Sequence, residues 1–276
     1  MDTLRTVDGL TLRLYRWPAP GTARGTVQIV HGLGEHAGRY AWLVAQLNAA
    51  GWHVVAHDHR GHGRSEGRRG RIADSHALLS DVALVHDALR GSAGPNLLLG
   101  HSLGGLVAAR FVAEGLAKAP APWFRRFDGL VLSSPALALA LNGFQRALLA
   151  TLGTLAPNLA VNNGLKPAWI SRDAAVVKAY EGDPLVHDRV TARLVRFMVD
   201  GGALVAERAP RWSLPTLLLW AGADRCVAPA GSAAFAAAAP PAVVGAHRFD
   251  GLFHEIFNEP EKEQVFSHLQ AWLARF

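Results

Sequence analysis

The stretch Leu97-Leu98-Leu99-Gly100-His101-Ser102-Leu103-Gly104-Gly105-Leu106-Val107-Ala108-Ala109 decides the fold. An apolar run of buried-strand length feeds Gly100-x-Ser102-x-Gly104, and an Ala-rich helical pattern follows. That strand–turn–helix context is what a G-x-S-x-G nucleophile elbow requires. So tight a turn holds its serine at strained backbone angles, and the flanking glycines let helix and strand approach closely. Ser102 Oγ then stands exposed above a sheet, with the backbone N–H of Leu103 beside it at a helix N-terminus. The plainer alternative is a Gly/Ser turn closing an ordinary βα unit. The rest of the chain argues against it.

Upstream, residues 3–7 and 10–16 read as a hairpin turned at Asp8-Gly9. Gly25–Val30 reads as a strand that ends in His31-Gly32-Leu33-Gly34-Glu35-His36. Glycines there let a loop bend back and offer a backbone N–H to the nucleophile, with Leu33 as the second oxyanion donor beside Leu103. Tyr40–Ala50 has helical spacing and stops at Gly51; His53–His57 is the next strand. It runs into Asp58-His59-Arg60-Gly61-His62-Gly63-Arg64-Ser65, where crowded histidines invite a zinc reading. The order is not that of a helical H-E-x-x-H pair, and the arginines oppose a cation. Structural hydrogen bonding by Asp58 and Arg60 is the better reading, and no metal or cofactor is expected.

Ala77–Leu89 is an amphipathic helix, Leu103–Ala117 the helix behind the serine, and Asp128–Leu132 a further strand. Strand–helix alternation then stops. Residues 136–212 carry Leu/Ala-rich helical segments broken by Pro and Gly, with no convincing strand, and read as an inserted helical cap. The apolar residues Leu137, Leu139, Leu141, Phe144, Leu148, Leu149, Leu152, Leu155 and Leu159 exceed what a small cap core needs. They either pack on the main domain or line an apolar tunnel or touch a lipid surface. Alternation resumes with Thr216–Trp220, Ala230–Ala239, Val243–Phe249 and a helix from about Pro260 to Phe276. The pattern predicts an α/β fold, a mostly parallel central sheet flanked by helices, from residues 1–135 and 213–276.

A serine hydroxyl needs an imidazole to take its proton, and the imidazole needs a carboxylate to hold its tautomer. In folds of this kind these follow in the order Ser, Asp/Glu, His, in loops at the carboxyl ends of strands. His247 falls inside the last strand and His268 inside the last helix, which leaves His254 in the loop between them. Asp224 directly follows a strand after the cap; Asp250 shares a loop with His254 only four residues away, a poor arrangement for orienting it. Asp183 falls in the cap. The choice is Ser102, Asp224 and His254.

Of 276 residues, 50% are hydrophobic and 18% charged, so disorder is excluded. The net charge of +6 comes from scattered arginines not interleaved with aromatics, which argues against nucleic acid as a partner. The single cysteine, Cys226, reads as a small buried hydrophobe and fits a reducing compartment. Residues 1–17 hold no continuous apolar run, so no signal peptide is read; no stretch approaches the roughly 18 uninterrupted apolar residues of a membrane span, and a cytoplasmic chain is expected.

Taken together, Gly100-His101-Ser102-Leu103-Gly104-Gly105, His31-Gly32-Leu33-Gly34-Glu35-His36 with Gly38-Arg39-Tyr40, Asp58-x-Arg60-Gly61-x-Gly63-x-Ser65, Gly182-Asp183-Pro184-Leu185, Ala223-Asp224 and His254-Glu255 resemble the monoacylglycerol lipase and lysophospholipase-like family of α/β-hydrolases. The resemblance spans nearly the whole chain. It implies an α/β-hydrolase fold with an inserted cap, and a serine hydrolase cleaving monoacylglycerols and related single-chain lipid esters without metal or cofactor. It makes Ser102 the nucleophile, Asp224 the acid, His254 the base, and the N–H groups of Leu33 and Leu103 the oxyanion hole. It places Glu35, Arg39 and His101 at the polar, substrate-binding end of the site. It implies a mobile cap over an acyl channel, with transient contact at a membrane or micelle surface. A carboxylesterase or lysophospholipase on the same triad is the alternative within enzymes, and a non-catalytic ligand-binding protein of the same fold the alternative outside them. A serine at the elbow argues against the epoxide or haloalkane hydrolysis that an aspartate there would suggest.

Overall fold

The computed structural model describes residues 2–89, 94–140 and 143–276, and in it the chain builds one large sheet from the strands its sequence predicts. β1 (Thr3–Arg5) and β2 (Thr11–Trp17) form the antiparallel hairpin turned at Asp8-Gly9, with Thr3 opposite Arg13. Then come β3 (Gly25–Val30), α1 (Ala41–Ala49), β4 (Trp52–His57), α2 (Ala77–Asp87), β5 (Asn96–His101), α3 (Leu103–Gly115) and β6 (Gly129–Ser133). After them stand α4 (Gly143–Leu155), β7 (Ala160–Asn162), α5 (Ala174–Glu181), β8 (Arg189–Thr191) and α6 (Ala192–Arg208). The chain finishes with β9 (Thr216–Ala221), α7 (Pro229–Ala238), β10 (Val244–Phe249) and α8 (Lys262–Leu273).

The sheet order is β1-β2-β4-β3-β5-β6-β9-β10, parallel from β4 to β10 and antiparallel at the β1–β2–β4 edge. From β3 the chain passes to β4 on one side and later to β5 on the other. Loops leaving β3 and β5 therefore diverge, and they open a crevice at the carboxyl ends of those strands. The sequence placed its candidate nucleophile and oxyanion loop there.

Two apolar layers hold the sheet. β5 shows how: Leu98 points into the layer under α2, α3 and α6, while Leu97 and Leu99 point into the layer under α1 and α8. All three are fully buried, which explains why this strand reads as a continuous apolar run and not an alternating one. At about 2 kcal/mol for burying each leucine, the three contribute strongly to holding the strand before Ser102.

The region 136–212 differs from its expectation in one respect. β7 and β8 pair antiparallel there, Ala160 opposite Thr191 and Asn162 opposite Arg189. Strands of three residues carry too few positions for a period to register, and their partners lie far apart in sequence. α6 packs Leu194, Phe197, Met198 and Val205 into the same layer as α3. Leu137 is buried in that layer and Leu139 packs against it, while Leu155 and Leu159 are exposed. Leu141 and the side chains of Phe144 and Leu148 lie outside the described residues. Among those described, no helix is long and apolar enough to cross a membrane.

Candidate active site

Ser102 directly follows β5 at φ 54° and ψ −120°, a conformation that L-residues rarely adopt. Neighbouring backbone holds it there. The Ser102 N–H donates to the Ser133 carbonyl (3.0 Å), and its own carbonyl accepts from Leu106 (3.0 Å) and Ala136 (2.9 Å). A Cβ on Gly100 would run into the Gly104 carbonyl oxygen, and one on Gly104 into that of Val30. Only glycine fits at both points. Leu103 is the first residue of α3, so its N–H is among the unpaired donors at the positive end of the helix.

The loop after β3 lies against this turn. A Cβ built on Gly32 would stand 3.2 Å from the Ser102 Cβ, and Leu33 and Ser102 line the same small cavity of about 30 Å³. Glu35 fixes the loop from beneath: its Oε1 accepts from the Gly32 N–H (2.6 Å) and the Tyr40 hydroxyl (2.7 Å).

His254 reaches the cavity from the loop after β10, and Asp224 meets its ring from the loop after β9. Asp224 Oδ2 accepts from His254 Nδ1 at 2.6 Å, and Oδ1 accepts from the N–H groups of Cys226 (2.8 Å) and Val227 (3.1 Å). Both side chains are almost wholly buried. Burial pushes the Asp224 carboxyl up, but the His254 ring and the two N–H donors pull it below its ordinary value. Burial likewise lowers His254, and Asp224, Glu255 and Glu35 more than reverse that, so its affinity for a proton is raised. Asp250 takes no part; it is exposed and pairs with Arg248.

His101 packs its ring 4.8 Å from that of His254 and shares a 3.1 Å hydrogen bond with the Ser133 hydroxyl. Burial, then the nearby His254, pushes it down to about 4, so it is neutral at pH 7. Glu35 and His101 line the cavity; Arg39 stands one layer behind, its guanidinium turned to Glu35 and Glu255. The sequence reading singled out Glu255 and Tyr40 only as motif members, and Tyr180 of α5, which also lines the cavity, carried no signal at all.

Asp183, set aside as an acid, ties the segment after α5 to the loop after β3: its Oδ2 meets His36 Nε2 at 2.8 Å. The histidine-rich loop folds as hydrogen-bonded structure. Asp58 accepts from Ala37 N, Arg64 N and the Tyr15 hydroxyl, and Arg60 forks onto Asp81 and reaches Asp8. His57, His59, His31, His62 and His187 stand in a file of tilted and edge-on rings with successive ring centres 4.3–5.5 Å apart. Among the described residues, donor atoms of Asp224, Cys226 and His254 come within 4.8 Å of one another. Asp224 and His254 are already bonded together there, and burial pushes the Cys226 thiol well up, so the set has the chemistry of an acid–base pair.

A sheet of this order, with a strained serine at its crevice and, in the same cavity, an imidazole held by a buried carboxylate, is the architecture of the serine α/β-hydrolases, and the chain is one of them. It belongs to the Hydrolase_4 family, described as serine aminopeptidase, S33, whose pattern matches residues 21–261. The monoacylglycerol lipase of Mycolicibacterium smegmatis is 35% identical over 278 residues, covering 97% of this chain and 94% of its own. Phospholipase YtpA of Bacillus subtilis is 32% identical over 267 residues, covering 95% of this chain and 100% of its own. The crystal structure of Paleococcus ferrophilus monoacylglycerol lipase matches with a TM-score of 0.83 at 37% identity, covering 95% of this chain and 98% of that one.

Proposed function

We propose that the chain hydrolyses monoacylglycerols to fatty acid and glycerol. The Asp224–His254 hydrogen bond beside the strained Ser102 carries the chemistry, and the likeness to two monoacylglycerol lipases carries the substrate. His254, held by Asp224 with its Nδ1 protonated, presents Nε2 as the base. It takes the Ser102 proton as Oγ attacks the ester carbonyl, then gives that proton to the departing glycerol oxygen. The Leu33 and Leu103 N–H groups meet the oxyanion, contributing on the order of 3 kcal/mol each. Water deprotonated by His254 then releases the fatty acid from the acyl-enzyme.

In this reading residues 136–212 act as a cap. The cavity at Ser102 has room for about one water, so a lipid enters only when the segment around Leu165–Pro167 and Tyr180 moves. A separate cavity of about 420 Å³ is lined by Leu137, Leu139, Leu149, Met198 and Val199 together with the charged Arg196 and Asp200, and its apolar side offers an acyl chain a surface. Exposed Leu155 and Leu159 support transient contact of the cap with a membrane or micelle surface. The single cysteine supports a cytoplasmic location.

A lysophospholipid is the second reading. It is favoured by Lys166, which lines the cavity with its ammonium over the Trp169 ring, and by the likeness to a phospholipase. Hydrolysis of a monoacylglycerol, a triacylglycerol and a lysophospholipid in parallel, with Ser102→Ala as the blank, decides between them. Preference for the monoacylglycerol supports the proposal. Preference for the lysophospholipid replaces the substrate, and activity surviving in Ser102→Ala overturns the mechanism.

A further inference from the structure

Two loops must hold a fixed relation if a serine hydrolase of this geometry is to work. One carries an oxyanion donor, the Leu33 N–H, and the other carries the base, His254. They leave β3 and β10, strands separated by three others in the sheet. One side chain joins them. Arg39 Nη1 donates to Glu35 Oε2 (2.9 Å) and to Glu255 Oε1 (2.6 Å), and Nη2 donates to Glu255 Oε2 (2.7 Å).

Each end of this bridge is tied to the site. Glu35 accepts the N–H of Gly32, the residue before Leu33. Glu255 directly follows His254; its N–H donates to the Ile170 carbonyl, and its Oε2 also accepts from Asn258. The Tyr180 ring of α5 covers the guanidinium face at 4.7 Å. All three charged side chains are 90% buried or more, so none can turn away to water, and each needs the others as counter-charges. A two-pronged grip on one carboxylate with a third bond to another needs the planar fork of arginine; an ammonium lacks the geometry.

We propose that Arg39 is a positioning residue: by gripping Glu35 and Glu255 together it locks the loop bearing the Leu33 N–H to the loop bearing the His254 ring. The proposal rests on the reading of Ser102 and His254 as nucleophile and base. It gives Arg39 a role that involves no contact with substrate. Glu255 has a second effect on the same ring, because its charge favours the imidazolium. The other groups facing His254 are Asp224 and Cys226 from the β9 loop, His101 from the end of β5, and Glu35 from the β3 loop.

The test compares Arg39→Lys, Glu255→Gln and the double variant with the unaltered chain on p-nitrophenyl butyrate, across about pH 5 to 9, with Tm measured alongside. This activated short ester does not depend on monoacylglycerol being the natural substrate. Arg39→Lys keeps the charge and loses the fork; kcat is expected to fall about tenfold or more with KM within about threefold. Glu255→Gln keeps the shape and one acceptor; kcat is expected to fall similarly, and the acid limb of the rate profile to move to lower pH. The double variant is expected to lose no more than the worse single one, as members of one unit do. The proposal is overturned if both single variants that fold keep kcat within about twofold, or if KM rises in Arg39→Lys with kcat unchanged, which would make Arg39 a substrate contact. An acid limb unmoved in Glu255→Gln also counts against it. An unaltered chain inert to both this ester and a fluorophosphonate label on Ser102 overturns the reading of the site itself, and the proposal with it.

Discussion

Nδ1 of His254 donates a 2.6 Å hydrogen bond to Oδ2 of Asp224, 30 residues earlier in the chain, in a pocket that leaves the two side chains 6% and 1% exposed. An ionised carboxylate only accepts, so the ring must carry its proton on Nδ1 and turn Nε2 outward. Asp250, four residues from His254 in sequence, pairs with Arg248 at the surface. Orientation comes from the distant partner.

Asp224→Asn is therefore expected to lower kcat by roughly four orders of magnitude, by favouring the wrong tautomer, with little change in fold. Asp250→Asn should remain within about twofold of the unaltered chain, as for an exposed charge away from the chemistry. Initial rates on one ester decide it, and the reverse ranking would move the acid.

The acid limb of kcat/KM, which reports the free base, is expected at a pH above the ordinary imidazole value of about 6.5, because nearby carboxylates outweigh burial at His254. A rate profile at constant ionic strength measures it. A limb below that value would mean that burial wins.

The file of imidazoles has the opposite sign. Burial and, secondarily, Arg60 push His57 down to about 4, and His31, His59 and His62 also lie well below their usual range, chiefly through burial. A depressed histidine binds protons better when unfolded, so its contribution is present above about pH 6.5 and is lost as the pH falls toward 4. For His57 alone that is about 3 kcal/mol. Tm should drop steeply over that interval. Among the described residues neither ring nitrogen of His57 has a hydrogen-bond partner, so His57→Phe should flatten the slope, whatever it does to Tm at pH 7.5. An unchanged slope would exonerate this residue.

Gly104→Ala should cost roughly 2–4 kcal/mol and most of the activity, since its Cβ would run into the Val30 carbonyl oxygen and part β3 from the elbow. Chemical denaturation and rates on the purified variant measure both. Native stability would show that the turn can give.

The sheet and the elbow were legible in the sequence, because both are written in local chemistry. Leu97–Leu99 form an apolar run of buried-strand length that stops at Gly100, Gly100 and Gly104 mark a turn with no room for Cβ atoms, and Ser102, Asp224 and His254 each follow a strand in the order this fold demands. The β7–β8 pair stayed hidden, since three-residue strands show no period. Which charges meet emerges only from the folded arrangement. Glu35, Arg39 and Glu255 come from the two ends of the chain, and their sequence neighbours say nothing of one another. Folding brings the loops of β3 and β10 to one end of a parallel sheet, and there burial makes each charge depend on the others.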